Sequence, residues 1–525
     1  MHQKKIIWRL IGIFIFLFGI ALESGAAPKG QPKKTAPQEQ PRMGGTLVVG
    51  LGKETGNPNP FFQTMSTNQF VKDTSYESLL IQDDEGRIVP NLAEKYDVAA
   101  GGTQFTLHLR KGVKFHNGKE LRAEDVVWST NHVKDPKNGA FGQNRLNDVK
   151  SVEKMDSHVV KFTLGKPSAA FLANLATIRI LPIVPENSLQ PGQTKLEKNV
   201  FVPGTGAFMF EQFQPGFDTV VKKAPDYWGK PAYLDKIMFR PITDNANRFN
   251  ALRTGDVQMA DRLAALDAMR VKKGDVKGIA LLEEPLGGFQ RLIFNYDSPL
   301  LQKREMRQAL ACAIDKQRLV DEAFFGAAQP AELMMDPQGI WSKAAKLPRH
   351  KRDLAEARVL LKAAGYNGQE LVWVGRNSAT PLLESVQRML SEAGIKVKLE
   401  ILEAGVMRER VGAGKFDLQV GGATTDVDPV IALVSYYYTN KVEKGSYSNP
   451  KTDQLFDKFD KEFDEKKRLA IFRELAGVVQ KDVADVPLLF EIRYLGMGEK
   501  VRGYGPPPGH TYSESGTYFK SVWLR

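Results

Sequence analysis

One cysteine in 525 residues, Cys312, excludes an internal disulfide and every zinc site built on cysteine pairs. It shares a helical stripe with Met306, Leu310, Ala313 and Ile314, the setting of a small buried hydrophobe rather than a nucleophile. Histidine is scarce, with seven residues and none between Pro381 and Gly509, which argues against a histidine-anchored metal site in that part of the chain. His108, His116, His132 and His158 fall in one half, and His108 alternates to the polar face of a strand, so these read as surface or structural residues. No G-x-S-x-G elbow, H-E-x-x-H helix or Walker A loop occurs. Gly50-Leu51-Gly52-Lys53-Glu54-Thr55-Gly56 follows a strand, but its third glycine is one residue late for a dinucleotide fingerprint. Asn57-Pro58 then stands where a phosphate-receiving helix should open. No block of five or six basic residues occurs either. The formal charge of +12 is spread among acids, and no nucleic-acid footprint is visible.

What is present begins with a leader. Lys4, Lys5 and Arg9 precede the apolar run Leu10–Leu22, and Ser24-Gly25-Ala26-Ala27 supplies small residues for cleavage after Ala26 or Ala27. The run is short for a membrane span. Residues 1–27 therefore read as a signal peptide, with an uncleaved anchor as the alternative. Cys312 is far from the leader, so no cysteine is available for lipid attachment. These features predict an exported, periplasmic protein that is not a lipoprotein. Pro28–Arg42 is rich in Pro, Lys and Gln and reads as a disordered spacer over 28–43.

The remainder is too long for one hydrophobic core. Strand and turn signals dominate from Gly44 to Thr163. Phe105, Leu107 and Leu109 alternate with polar residues, Val113 and Phe115 continue as a second short strand, and Asn117-Gly118 forms a tight turn. Helical spacing begins at Glu120. Further strands are expected within Ala207–Val221 and at Ile237–Arg240, with a helix at Ala246–Thr254. From Arg304 onward helices alternate with strands. Helices are expected at Arg304–Phe325, Leu354–Ala364, Pro381–Ala393, Thr452–Lys461 and Glu465–Val479. Strands are expected at Glu370–Val374, Val397–Leu402, Phe416–Val420 and Pro487–Arg493. That alternation implies an α/β domain with a partly parallel sheet.

Several separated blocks carry a resemblance. Arg87–Glu94, Leu107–Gly118 and Ala123-Glu124-Asp125-Val126 form the strongest. Pro203-Gly204-Thr205-Gly206-Ala207-Phe208, Tyr227-Trp228-Gly229, Phe294-Asn295, Arg307–Leu310 with Ala313-Ile314-Asp315, and Leu360–Tyr366 follow in order. Together they resemble the family 5 extracellular solute-binding proteins, the peptide- and nickel-binding subunits of ABC importers. The resemblance implies an α/β fold of the type II periplasmic-binding-protein kind, two lobes around a hinge plus an inserted β-rich domain. Domain I would comprise residues 44–86, 197–292 and 487–525, domain II residues 87–196, and domain III residues 293–486.

It also implies a non-enzymatic receptor without a cofactor. Such a receptor traps a small solute, a short peptide foremost, by hinge closure and delivers it as a monomer to an inner-membrane ABC permease. An opine, sugar or metal-chelate ligand is the alternative within the family, and a secreted chaperone or hydrolase the alternative in class. The family's amine-binding Asp lies three residues before an acidic-Pro pair. Here Thr425-Asp426-Val427-Asp428-Pro429 puts Thr425 at the strict position and Asp426 one residue later. Asp428-Pro429 itself reads as a helix start. The implied ligand-binding residues are Gly422, Thr424, Thr425 and Asp426, with Arg376 for a carboxylate. Met65, Ser66 and Thr67 would contribute from domain I, and Tyr436 would wall the cleft beside Tyr437 and Tyr438.

Overall fold

The computed structural model describes residues 39–62, 70–83, 87–99, 101–186, 188, 199–335, 337, 339–348, 351–424, 428–439, 446–505 and 518–525. The leader, the spacer up to residue 38, and the segments holding Met65, Ser66, Thr67, Thr425 and Asp426 lie outside the described residues. Strand β1 (Thr46–Leu51) is followed by the ribbon β2 (Leu80–Gln82) and β3 (Ile88–Pro90). Strands β4 (Ala93–Val98), β5 (Gln104–Leu109), β6 (Val149–Asp156) and β7 (Val159–Leu164) form an antiparallel sheet ordered β4-β5-β7-β6. Then come β8 (Phe208–Gln212), β9 (Thr219–Lys223), β10 (Lys236–Pro241), β11 (Met259–Ala260) and the long β12 (Ile279–Phe294). The chain continues through β13 (Ala328–Pro330), β14 (Leu371–Arg376), β15 (Val397–Leu402), β16 (Leu418–Thr424) and β17 (Val486–Gly498). Among the described residues no helix is long and apolar enough to cross a membrane.

The main sheet runs β15-β14-β16-β12-β17-β11-β1-β10-β9-β8, with β13 also paired to β17. Its centre is therefore the antiparallel pair of β12 and β17, whose partners lie about 200 residues apart, as in Gln290 opposite Leu489. On one side stand the parallel β14 and β15 with their helices, and on the other β1, β10 and β11. The ladder between β12 and β17 loses register between Pro285 and Phe289. Pro285 has no N–H to donate, so the interruption falls where the chain cannot complete the ladder. On the β11 side of this break a buried ion cluster pins three strands. Arg493 Nε donates to Asp261 Oδ1 at 2.6 Å, and Arg493 Nη1 stands 3.2 Å from Glu284 Oε2. The guanidinium also lies over the Phe70 ring, 4.5 Å from its centroid.

The blocks that carry the family resemblance converge on one structural knot. Glu77 Oε2 accepts from Thr205 Oγ1 at 2.9 Å and Trp228 Nε1 at 2.8 Å, while Oε1 accepts from Tyr227 Oη at 2.9 Å. The segment Gly204–Gly206 runs against Ser75, so closely that a Cβ on Gly204 would sit 2.0 Å from the Ser75 carbonyl oxygen. His116 Nε2 donates to the Gly206 carbonyl at 2.9 Å, while its Nδ1 accepts from Gly204 N at 3.3 Å. That pattern needs a neutral ring, and burial lowers the His116 pKa. Arg110 donates to the Asn91 carbonyl and lies over the Trp228 ring. Asp125 accepts from Arg122 N, Glu186 N and Lys119 Nζ and caps the helix Ala123–Lys134.

Four elements differ from the sequence reading. Val113–Phe115 forms no strand, only a single bridge between Lys114 and Glu120, because the Gly112 and Gly118 turns (φ 75° and 85°) close too tightly for a ladder. The helix after this turn starts at Ala123 rather than Glu120, where the Asp125 cap fixes its end. The helix expected over Arg304–Phe325 is two, Arg304–Ala313 and Lys316–Phe324. Ile314 is extended between them, and the Asp315 carboxylate accepts from Arg318 N at 2.9 Å to start the second. The strand expected at Pro487–Arg493 extends to Gly498, since β11 and the first half of β12 pair its distal end.

Glu77→Ala strands one buried and two half-buried donors and should lower the unfolding free energy by about 3 kcal/mol, measured by urea denaturation. Burial, outweighing its donors, raises the Glu77 pKa above the ordinary carboxylate value. A raised folded pKa means stability present at low pH and lost as pH climbs through that pKa. Wild type should therefore lose ground to Glu77→Gln as pH rises above the ordinary carboxylate range.

Candidate functional site

A cleft of about 1250 Å³ opens beside the break in the central pair. Strands β14 and β15 are parallel and end together, with Arg376 opposite Leu402. Crevices beyond the C-terminal ends of parallel strands are where open α/β sheets hold ligands. Arg376 is the last residue of β14, and Arg408 sits on the helix Ala404–Gly412 that follows β15. Both side chains line the cleft. Strand β12 contributes Gln290 and Arg291, β16 Gln419 to Gly422, and β17 Glu491. The helix Pro429–Tyr437 adds Ser435, Tyr436 and Tyr437.

The charges in this cleft fall into two groups. Arg291 is neutralised: its Nη1 donates to Asp485 Oδ2 at 2.6 Å, and its guanidinium stacks 4.1 Å from the Tyr436 ring centroid. Asp485 Oδ1 accepts from the Tyr437 hydroxyl at 3.0 Å. Burial, reinforced by Asp485, drives the Tyr437 pKa far up, so this hydroxyl stays a donor. The second group is open. Arg376 and Arg408 are exposed and have no acidic partner among the described residues. By contrast Arg410, on the same helix as Arg408, is clamped by both oxygens of Glu400 at 2.9 and 3.1 Å. Glu491 Oε1 accepts from Gln290 Nε2 at 2.7 Å, and its other oxygen has no partner among the described residues. The cleft thus offers two unpaired guanidiniums and one half-engaged carboxylate, a set that recognises two anionic groups and one cation.

Of the residues expected from sequence, Arg376, Gly422 and Tyr436 line this one cleft. Thr424 ends β16 opposite Gly288, within the interrupted stretch of β12. Met65, Ser66, Thr67, Thr425 and Asp426 lie outside the described residues. Tyr438 Oη donates to Asp457 and takes no part in the cleft lining, whereas Tyr436 and the buried Tyr437 both border it. Asp428 caps the helix Pro429–Tyr437 through Val430 N at 2.9 Å, as its place before proline predicts, and also pairs with Arg468 at 2.6 Å. Sequence reading missed Gln290, Arg291, Arg408, Asp485 and Glu491. The available signal was a charge inside an otherwise apolar strand, as in Pro487–Arg493 for Glu491.

The family model described as bacterial extracellular solute-binding proteins, family 5 Middle, matches residues 87–445. The glutathione-binding protein GsiB of Pectobacterium atrosepticum is 28% identical over 484 residues, covering 89% of this chain and 92% of that protein. Among solved structures, the periplasmic binding protein AgaA of A. tumefaciens R10 in complex with agropinic acid is 28% identical with a TM-score of 0.71, covering 92% of this chain and 99% of that one. The ABC transporter-associated periplasmic binding protein DppA of Helicobacter pylori, in complex with the peptide STSA, is 26% identical, also with a TM-score of 0.71, covering 92% and 98%. The mixed α/β architecture is thus that of the periplasmic binding proteins.

Framework and ligand-facing charges should separate on mutation. Asp485→Ala leaves the Arg291 charge buried and unpaired and should cost about 3–5 kcal/mol in urea denaturation. Arg376→Gln should leave stability within about 0.5 kcal/mol.

Proposed function

The chain belongs to the bacterial extracellular solute-binding proteins of family 5, and on that ground we propose that its cleft captures a short peptide bearing two carboxylates and one ammonium group. The family comprises substrate-binding proteins of ABC importers, which bind and deliver rather than transform. The observation that carries the reading is the pair of unpaired guanidiniums, Arg376 and Arg408, facing the same cleft as the half-engaged Glu491. Each carboxylate is matched by a guanidinium and the ammonium by Glu491. Asp426, which follows β16 in the sequence and lies outside the described residues, is the further candidate for the ammonium. Closure removes water from these contacts and raises the value of each. Glutathione, with two carboxylates and one ammonium, has the required charges and is what the curated relatives are named for binding.

The proposed route is that of the family. The leader directs export and is cleaved near Ala26 or Ala27, and the mature monomer binds its solute in the periplasm. Residues 293–486 then close over residues 44–86 and 197–292 about the break in β12, and an inner-membrane permease receives the solute. A carboxylate-bearing opine is the second reading, favoured by the likeness to the agropinic acid complex.

Isothermal titration with glutathione, its diamide (both carboxylates amidated, the ammonium kept) and an opine tests this. Glutathione should bind, and the diamide should bind at least a hundredfold more weakly, each lost charge-assisted bond being worth about 1.5–3 kcal/mol. Arg376→Gln should weaken glutathione binding about tenfold or more. Equal affinity for acid and diamide overturns the charge reading. Opine binding without glutathione binding replaces the peptide.

A further inference from the structure

Away from the cleft lining, the C-terminal end of the helix Pro450–Lys461 and the turn after it reach across to the β-rich unit of β4 to β7. Asp460 Oδ1 accepts from Ser168 Oγ at 2.9 Å and from Ala170 N at 3.2 Å, and the Asp460 carbonyl accepts from Ala169 N at 2.6 Å. Phe463 inserts its ring into the core of that unit, 6.0 Å from the Phe105 ring centroid. The notch exists because Gly102 lacks a side chain: a Cβ there would stand 2.3 Å from the Phe463 ring. Beside this contact, Val430 and Ile431 of the helix Pro429–Tyr437 pack on Ala170, Ala173 and Ile88. The far end of that same helix presents Tyr436 to the cleft.

We propose that Asp460 and Phe463 form a latch that fastens the α/β half to the β-rich unit and sets how long a captured solute is held. The proposal rests on the solute-binding reading of the cleft. Three features favour a latch over a permanent core contact. The two halves are joined through β12 and β17, whose ladder loses register between Pro285 and Phe289, and a rotation at that break would carry Asp460 away from Ser168. Among the described residues the contact is small, one ring and three hydrogen bonds beside the few apolar side chains around Ile431. A cavity of about 240 Å³ persists beside it, walled by Arg87, Tyr96 and Leu172 from one side and Trp341, Asp428 and Arg468 from the other. A seam with polar contacts and unfilled space separates at lower cost than a fused core. None of the latch residues lines the cleft, so their effect on binding acts through position alone.

A latch made only in the closed state slows release without changing entry. Stopped-flow measurement of glutathione association and dissociation on wild type, Phe463→Ala and Ser168→Ala tests this, with melting curves of each unliganded protein. Dissociation should be about tenfold faster in Phe463→Ala and about threefold faster in Ser168→Ala, with association rates unchanged. If Phe463→Ala does not fold, Ser168→Ala carries the test alone. Unchanged dissociation in the folded variants, with or without a lower melting temperature, overturns the latch and leaves the solute reading standing. Absence of glutathione binding to wild type overturns the glutathione assignment and the latch's role in holding it.

Discussion

The structure depends on one antiparallel pair, β12 with β17, which both halves of the main sheet share. Every other strand of that sheet belongs to one side or the other. The pair keeps register from Ile279 to Pro285 and loses it between Pro285 and Phe289. On one side of the interruption it is pinned by Arg493 between Asp261 and Glu284. Breaking such a buried pair is expensive, whereas its net contribution over an apolar replacement is small. Its use here is to fix register across three strands. On the other side the same two strands turn Gln290, Arg291 and Glu491 toward the cleft. Under the proposed function, the joint would also carry binding groups and so couple ligand contact to closure.

Residues that identify the family and residues that face solute are different sets. Glu77, His116, Gly204, Thr205, Tyr227 and Trp228 satisfy one another in the interior. They face no part of the cleft, so they constrain the fold and leave the cargo free to vary. Arg376 and Arg408 are exposed side chains with no acidic partner among the described residues, which is what a replaceable specificity element requires. The knot and the ion cluster are buried framework, and the proposed selectivity rests on a few unpaired charges.

Much of the fold was legible in sequence because it is local. Strand β15 occupies Val397–Leu402 as its alternation predicts, and the helix Asn245–Thr254 stops at Gly255, which has φ 85°. Caps explain the departures: Asp315 starts a helix inside a continuous apolar stripe, and Asp125 moves another start to Ala123. What was not legible is pairing at a distance. Nothing in the segment around Arg291 announces Asp485, 194 residues away, as its partner. The open charges are equally hidden, since Arg376 and Arg410 look alike in sequence and only the fold gives Arg410 its Glu400.

The central claim is that the cleft selects a solute with two negative groups and one positive. Native mass spectrometry of the protein isolated from its own cells, with release and fragmentation of whatever co-purifies, tests this most directly. The co-purifying solute should be a short peptide with two carboxylates and a free amine. Recovery of a neutral sugar would contradict the claim.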